Sequence, residues 1–268
     1  MPSAIINVMV GAAQKAARQL ARDFGEVEQL QVSRKGPGDF VSAADRRAEQ
    51  TIKAELARAR PGFAFLLEEE GAQAGTEDST WIVDPLDGTT NFLHGLPHFA
   101  ISIGLRQGGE ITAGIVFDPV KDELFVAERG RGAWLNDRRI RCSARMDMAQ
   151  AVIACGLPVL DWAGRATFDA QYKAVADQVA GLRRFGAASL DLAYVACGRL
   201  DGFWEYGLKP WDTAAGIVLV REAGGTIRAL EGDDPLAPES TLVAGNLAMH
   251  PKLTRILREV TPGLPAAS

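Results

Sequence analysis

The chain has 268 residues, 47% hydrophobic and 24% charged, an ordinary balance for a globular protein with a substantial core. Its 29 Lys and Arg against 34 Asp and Glu leave a net charge of −5, which does not favour a surface for nucleic acid or anionic membranes. No run reaches the roughly 18 apolar residues of a membrane span, and the three cysteines form no zinc motif. We therefore expect a cytoplasmic protein with no nucleic-acid or membrane partner.

The first half of the chain alternates between helical and strand-like patterns. Apolar residues at helical spacing predict two helices, and the first of them, residues 4–23, lacks the basic start of a signal peptide. Short apolar runs separated by hairpin-type connections predict a mainly antiparallel sheet. The predicted elements are helices at 4–23 and about 42–60, strands at 63–67, 81–83, 99–106, 111–117 and 123–127, and a hairpin at 132–140. Residues 1–145 are thus expected to form an N-terminal α+β lobe.

The second half has a different rhythm, in which strands and helices alternate. This order is typical of an α/β arrangement, and it predicts a C-terminal α/β lobe over residues 146–268. The predicted elements are strands at 151–155, 201–205, 225–230 and 241–245, and helices at about 166–180, 188–198, 212–223 and 249–260.

The most informative stretch runs from Trp81 to Phe92. An apolar run ends at Asp84, a second carboxylate follows at Asp87, and Gly88 permits a tight turn before Thr89. Two carboxylates beside exposed backbone N–H groups suit divalent metals on one side and an anion on the other. An acidic turn without function is the alternative for the Asp-Gly pair alone.

Two other segments carry carboxylates that suit the same site. Glu68 follows a predicted buried strand, and Asp212 opens a predicted helix that ends at Gly224 and Gly225. For Glu68 the alternative is a solvated acidic loop. For Asp212 it is an ordinary helix N-cap, which is a common role for aspartate.

Together, residues 66–71, 81–92 and 211–225 resemble the signatures of the inositol monophosphatase family, whose members are metal-dependent, lithium-sensitive sugar-phosphate phosphatases. Residues 39–45 also resemble a family motif, and the order and spacing of the motifs match those of the family over nearly the whole chain. The resemblance implies a layered α-β-α-β-α sandwich with the active site between the two lobes. It also implies a homodimer and competition of lithium for one metal position.

The same resemblance implies a set of metal ligands. Glu68, Asp84, the backbone carbonyl of Leu86, and Asp87 match the positions that hold the first metals, and Asp84, Asp87 and Asp212 match those of a more weakly bound one. All of these groups offer oxygen, which suits Mg²⁺ and disfavours zinc or iron. Two or three magnesium ions per site are therefore expected.

Roles in catalysis also follow from the resemblance. Thr89 and Glu68 match the residues that orient the attacking water, and Asp45 matches the acceptor for the threonine hydroxyl. A structural alternative for Asp45 is a capping box with Ser42. The residues that match substrate-binding positions are Asp87, Gly88, Thr89, Ala188, Glu205 and Asp212. Ala187 departs from the Ser or Thr common in the family, which affects the contacts expected with the polyol ring.

The expected function is Mg²⁺-dependent hydrolysis of inositol 1-phosphate or a similar polyol or sugar phosphate, a small-molecule phosphate ester, by direct attack of water. Fructose 1,6-bisphosphate, histidinol phosphate and nucleotide 3′-phosphates are alternative substrates within the same chemistry. An alternative of another class is a non-catalytic binding or regulatory protein on the same scaffold.

Overall fold

The computed structural model describes residues 3–25, 32–36, 39–157 and 164–263. In the first half the structure contains three helices and ten strands within those residues. They are α1 (Ala4–Gly25), β1 (Val32–Gly36), β2 (Asp39–Ser42), α2 (Ala43–Ala59), β3 (Ala64–Leu67), β4 (Gly71–Gln73), β5 (Ser79–Asp87), α3 (Thr89–Leu93), β6 (Ala100–Gln107), β7 (Glu110–Asp118), β8 (Glu123–Glu128), β9 (Gly132–Leu135) and β10 (Arg138–Ile140).

The second half supplies the remaining helices and strands. They are β11 (Val152–Cys155), α4 (Arg165–Ala176), β12 (Gly181–Arg183), α5 (Ala188–Ala196), β13 (Gly202–Tyr206), α6 (Pro210–Glu222), β14 (Thr226–Ala229), β15 (Thr241–Gly245) and α7 (Met249–Glu259). Each strand and helix predicted from the sequence in this half has a counterpart here.

Two large sheets organise these elements. The first has the strand order β10-β9-β8-β7-β6-β5-β3-β4 and is antiparallel except between β3 and β5. The second has the order β12-β11-β13-β15-β14, with parallel pairing around β11 and antiparallel pairing around β15. Strands β1 and β2 form a separate antiparallel hairpin.

Helices lie on both faces of each sheet. Helices α1 and α2 contact the outer face of the first sheet through β5, β6 and β7, while α7 contacts β13 and β15 of the second. Between the sheets, α5 contacts β6, β7, β13 and β15, and α6 contacts β5 to β9 as well as β14. The predicted α-β-α-β-α sandwich is therefore confirmed.

The core explains why α5 and α6 lie in the middle layer. All nine residues of α5 are buried, including Asp191, and so are Thr213–Val220 of α6. A helix that is buried on all sides needs covering elements on two faces, which the two sheets supply. One continuous apolar cluster accordingly includes residues of both helices and both sheets.

The structure corrects several predicted boundaries. The helix predicted at 166–180 ends at Ala176, and the short strand β12 follows it. The hairpin β1–β2 and the strand β4 have no counterpart in the prediction, because strands this short show little alternation of apolar and polar residues. The side chain of Ser42, proposed as a helix cap, lies outside the described residues. No helix in the described parts of the chain is long and apolar enough to cross a membrane.

Candidate active site

Asp84 and Asp87 lie at the end of β5, where the strand departs from regular pairing. Asp84 pairs with Ser102 and Asp87 with Ala100, so β5 has one more residue than β6 in this interval. Regular strands place residues i and i+3 on opposite faces, and one extra residue restores the same face. Both carboxylates are buried, and Asp84 Oδ1 accepts a hydrogen bond of 2.9 Å from the Leu86 N–H.

Glu68 reaches the same place from β3. This strand runs parallel to β5, and Leu67 pairs with Val83 in the register. The Glu68 N–H donates to the Val83 carbonyl at 3.2 Å, so Glu68 follows the end of β3 next to the point where Asp84 begins its turn. The strand end predicted from the sequence thus places Glu68 beside Asp84.

Asp212 comes from the first turn of α6, and the structure corrects its predicted position in that helix. Lys209 is the N-cap and Asp212 is the third helical residue, whose Oδ2 accepts a hydrogen bond of 2.7 Å from the Lys209 N–H. The start of α6 is attached to the first sheet because the Ser102 hydroxyl donates to the Trp211 carbonyl at 3.2 Å. Ser102 is the β6 partner of Asp84, so this bond brings Asp212 towards the acidic end of β5.

The Thr89 hydroxyl lies near Asp45, the acceptor expected from the sequence, and also near the Leu86 carbonyl, which the sequence indicates only as a metal ligand. The hydroxyl lies 2.9 Å from the Leu86 carbonyl and 3.3 Å from Asp45 Oδ2. One hydroxyl hydrogen can donate to only one of these acceptors at a time. Gly88, just before it, has φ of 91°, a left-handed conformation that favours glycine.

Asp87 also holds the first turn of α5, a contact that the sequence analysis missed. Asp87 Oδ2 accepts hydrogen bonds from the Ser189 N–H at 2.7 Å and from the Ser189 hydroxyl at 2.5 Å. The N-cap of α5, Ala187, provides no side-chain cap. A carboxylate from β5 therefore satisfies the helix start, next to the predicted substrate residue Ala188.

Glu205 extends the acidic region along β13. Its carboxyl group lies against Gly156, where an added Cβ would be within 2.1 Å of all three carboxyl atoms. Burial, and then the charge of Asp191, raises the pKa of Glu205 well above its usual range. Asp191 is buried in α5, and the only signal in the sequence is an acidic residue within an apolar helix.

The pKa values of the metal-site candidates reflect their crowding. Burial is the main cause that raises the pKa of Asp84 and of Asp212 well above the usual range, and the other carboxylates raise them further. Burial also raises the pKa of Asp87, while the Ser189 hydrogen bonds oppose that shift. Carboxylates that repel one another in this way are stabilised by a divalent cation.

The donor set fits a hard cation, although the carboxylates are turned towards protein donors. Among the described residues, no three His, Cys, Asp or Glu side chains have the geometry of a complete metal site. Asp84, Asp87 and Asp212 each use an oxygen to accept backbone N–H groups, and each carboxylate keeps a second oxygen. Oxygen donors of this kind suit Mg²⁺.

Comparison with known proteins agrees with this geometry. A model of the inositol monophosphatase family matches residues 1–261. The chain belongs to the inositol monophosphatase family. An inositol-1-monophosphatase of Mesorhizobium japonicum is 54% identical over 259 residues, which cover 96% of this chain and 97% of the relative. By this membership the chain is an enzyme of the phosphatase class.

Other members of the family have different names. The crystal structure of extragenic suppressor protein suhB from Bartonella henselae matches with a TM-score of 0.93 and 54% identity, covering 96% of this chain and 99% of that one. Nus factor SuhB of Pseudomonas aeruginosa is 42% identical, over 97% of each chain. The family therefore includes relatives named for catalysis and relatives named for another role.

Proposed function

We propose that the chain is a Mg²⁺-dependent phosphomonoesterase that converts inositol 1-phosphate, or a similar polyol or sugar phosphate, to the alcohol and inorganic phosphate. The observation that carries this proposal is the convergence of Glu68, Asp84, Asp87 and Asp212 from three distant segments. Their charges act on one another across the site, as the raised pKa of Asp84 indicates. A structural role alone would not require four crowded carboxylates.

The proposed ligands of the magnesium ions are the four carboxylates and the Leu86 carbonyl. When bound, such ions acidify water and neutralise the charge of phosphoryl oxygens. The Leu86 carbonyl now accepts the Thr89 hydroxyl, and its second lone pair allows a further contact. Family membership supports metal dependence, and the oxygen donors support Mg²⁺. The proposed two or three ions rest on the resemblance of the ligand positions to those of the family.

Thr89, Asp45 and Glu68 are proposed to orient the attacking water. When the Thr89 hydroxyl donates to Asp45 Oδ2, its lone pairs are available to accept a hydrogen bond from water. Glu68 accepts the second hydrogen of that water. With both hydrogens held, a water lone pair faces the phosphorus, and the Glu68 carboxylate takes up one water proton as the new P–O bond forms. The ester P–O bond breaks and the leaving alkoxide takes a proton from a solvent water, whose hydroxide is neutralised by the proton that Glu68 then releases.

Substrate binding is proposed to use the elements around the carboxylates. The N–H groups of Gly88 and Thr89 begin a helical turn and suit phosphate oxygens. Glu205 lies at the far end of the acidic region, where it can accept hydrogen bonds from sugar hydroxyls. Ala188 contributes a backbone contact at the start of α5, and Asp87 and Asp212 complete the set.

A substrate panel separates the candidates within this chemistry. At fixed Mg²⁺, we expect the largest kcat/KM for inositol 1-phosphate, and smaller values for fructose 1,6-bisphosphate, histidinol phosphate and a nucleotide 3′-phosphate. A preference for one of these three reassigns the substrate while leaving the mechanism intact. We also expect inhibition by millimolar lithium, and full activity in its presence would contradict that part of the proposal.

A non-catalytic binding or regulatory role is the alternative of another class. A relative named inositol-1-monophosphatase and a relative named extragenic suppressor protein suhB are both 54% identical to this chain, so sequence identity does not separate the two roles. The four converging carboxylates are what supports catalysis. Folding and metal binding without turnover of any monoester would support the alternative. A cytoplasmic location and a homodimer remain predictions, and analytical ultracentrifugation tests the second.

A further inference from the structure

Glu49 is a buried carboxylate close to the candidate site with no role in the chemistry described above. It lies on α2, and 1% of its surface is exposed. Its Oε2 accepts the Glu69 N–H at 2.9 Å and its Oε1 accepts the Glu70 N–H at 3.0 Å. Both carboxylate oxygens are therefore used to hold the backbone immediately after Glu68.

These two bonds are the buried part of the contact between α2 and that turn. Two ion pairs also join the helix to the turn: the mostly exposed Arg46 with Glu69 at 3.7 Å, and the partly exposed Lys53 with Glu70 at 2.5 Å. Exposed pairs of this kind stabilise little, whereas charge-assisted hydrogen bonds out of water are stronger. Glu49 is thus a buried, two-bond link between the helix and the turn.

The position of Glu49 on α2 connects it to Thr89 as well. Asp45 precedes Glu49 by four residues, so the two side chains project from the same face of the helix. Asp45 Oδ2 lies 3.3 Å from the Thr89 hydroxyl. One rigid helical turn therefore sets Glu68 and Thr89 relative to each other, and these are the two residues proposed to orient the attacking water.

We propose that Glu49 is a positioning residue that fixes the Glu68 carboxylate in the metal site by clamping residues 68–70. This inference rests on the proposed function. A glutamine at 49 has one acceptor oxygen, and its NH₂ group faces a backbone N–H that it cannot accept. The turn then loses one anchor, and Glu68 is free to leave the position that binds metal.

The test measures Mg²⁺ binding by calorimetry for full-length wild type, Glu49→Gln and Glu55→Gln. Glu55 is the matched control because it lies on the same helix and makes surface pairs with Lys15 and Arg58. Loss of a group that orients a metal ligand weakens binding by about 10- to 100-fold. We expect that change in Mg²⁺ Kd for Glu49→Gln, with the KM for substrate unchanged at saturating Mg²⁺.

The control variant is expected to bind Mg²⁺ like wild type. A merely structural role for Glu49 would lower the melting temperature in EDTA and leave the Mg²⁺ Kd within twofold, and that result overturns the inference. If Glu49→Gln does not fold, Glu49→Asp replaces it, because the shorter side chain cannot span both N–H groups; a Kd within twofold again overturns the inference.

Failure of the proposed function gives a different pattern. In that case wild type itself hydrolyses no phosphate monoester in the presence of Mg²⁺, whatever the variants do. An active wild type with equal Mg²⁺ binding by Glu49→Gln and Glu55→Gln rejects only the role of Glu49.

Discussion

Asp87 has two proposed tasks, which are to hold the start of α5 and to bind a metal ion, and each uses one of its two carboxylate oxygens. Oδ2 accepts both the N–H and the hydroxyl of Ser189, and Oδ1 is the oxygen proposed to contact a cation. The Ser189 contacts oppose the effect of burial on the pKa of Asp87, so they favour its ionised form. Ser189 therefore orients Asp87 and partly offsets the rise that burial causes in its pKa.

Replacement of Ser189 by alanine tests this contact. The N–H bond to Asp87 persists and the hydroxyl bond is lost, so we expect the Mg²⁺ concentration for half-maximal rate to rise about tenfold. The control is Ser240→Ala, which removes a hydroxyl bonded to the Ala237 carbonyl in the loop before β15. An unchanged Mg²⁺ dependence in Ser189→Ala would show that the N–H bond alone orients Asp87.

The buried carboxylate of Asp84 is expected to lower the stability of the metal-free protein while serving the proposed metal site. The pKa of Asp84 in the folded protein is raised, mainly by burial and then by Glu68. The protonated form of Asp84 therefore contributes fully to the free energy of unfolding below the unfolded pKa of about 3.9. This contribution is lost as the pH rises through the folded pKa. At pH 8 without metal, Asp84 therefore destabilises the fold.

The variant Asp84→Asn removes that charge and keeps an acceptor for the Leu86 N–H. In EDTA we expect a higher melting temperature than wild type at pH 8 and a smaller difference at pH 5. In Mg²⁺ we expect the variant to have no phosphatase activity. Thermal denaturation at the two pH values measures this. A lower melting temperature at pH 8 would contradict the proposed repulsion.

At the scale of elements, the approach of α6 to the first sheet depends on glycines. A Cβ at Gly114 of β7 would lie 2.7 Å from the Ala215 Cα and from Val218 Cγ1, and one at Gly104 of β6 would lie 2.7 Å from the Ala214 Cβ. Both strands therefore have glycine, without a side chain, where the helix crosses them. This close contact sets the distance of α6 from the first sheet, and with it the position of Asp212.

The variant Gly114→Ala is expected to lower the free energy of unfolding by about 1–3 kcal/mol, because the overpacked helix must move away. Gly11→Ala is the control, since a Cβ there meets nothing within 4 Å and alanine favours a helix. Urea denaturation compares the two variants. Equal midpoints for Gly114→Ala and wild type would mean that the helix accommodates the methyl group without strain.

At the scale of the whole molecule, the features that could be predicted from the sequence are those with a local signal. Long periodic segments and the acidic motifs were predictable, because helix periodicity and the types and spacing of Glu68, Asp84, Asp87 and Asp212 are local signals. Ser189 and Glu49 were not, because a serine or a glutamate in a helix is unremarkable until the fold supplies its partner. In the case of Ser189, that partner is 102 residues away.

The layered arrangement also explains why the site needs the complete fold. Glu68, Asp84 and Asp87 come from the ends of two adjacent inner strands of one sheet, β3 and β5, while Asp212 comes from a helix between the two sheets. The division into lobes at residues 145 and 146, with the active site between them, remains a prediction. No segment alone holds enough carboxylates for a metal site, so we expect metal binding and catalysis to be lost together when the fold is lost.

The most direct test of this account measures phosphate release from inositol 1-phosphate as Mg²⁺ is removed and restored, for wild type and Asp87→Asn. We expect the wild-type rate to fall to background in EDTA and to return with Mg²⁺. We expect Asp87→Asn to be slower by about 100-fold or more, equivalent to roughly 2.7 kcal/mol in the barrier. Phosphate release that is unaffected by Mg²⁺ removal, or by Asp87→Asn, would contradict the proposed role of the carboxylates.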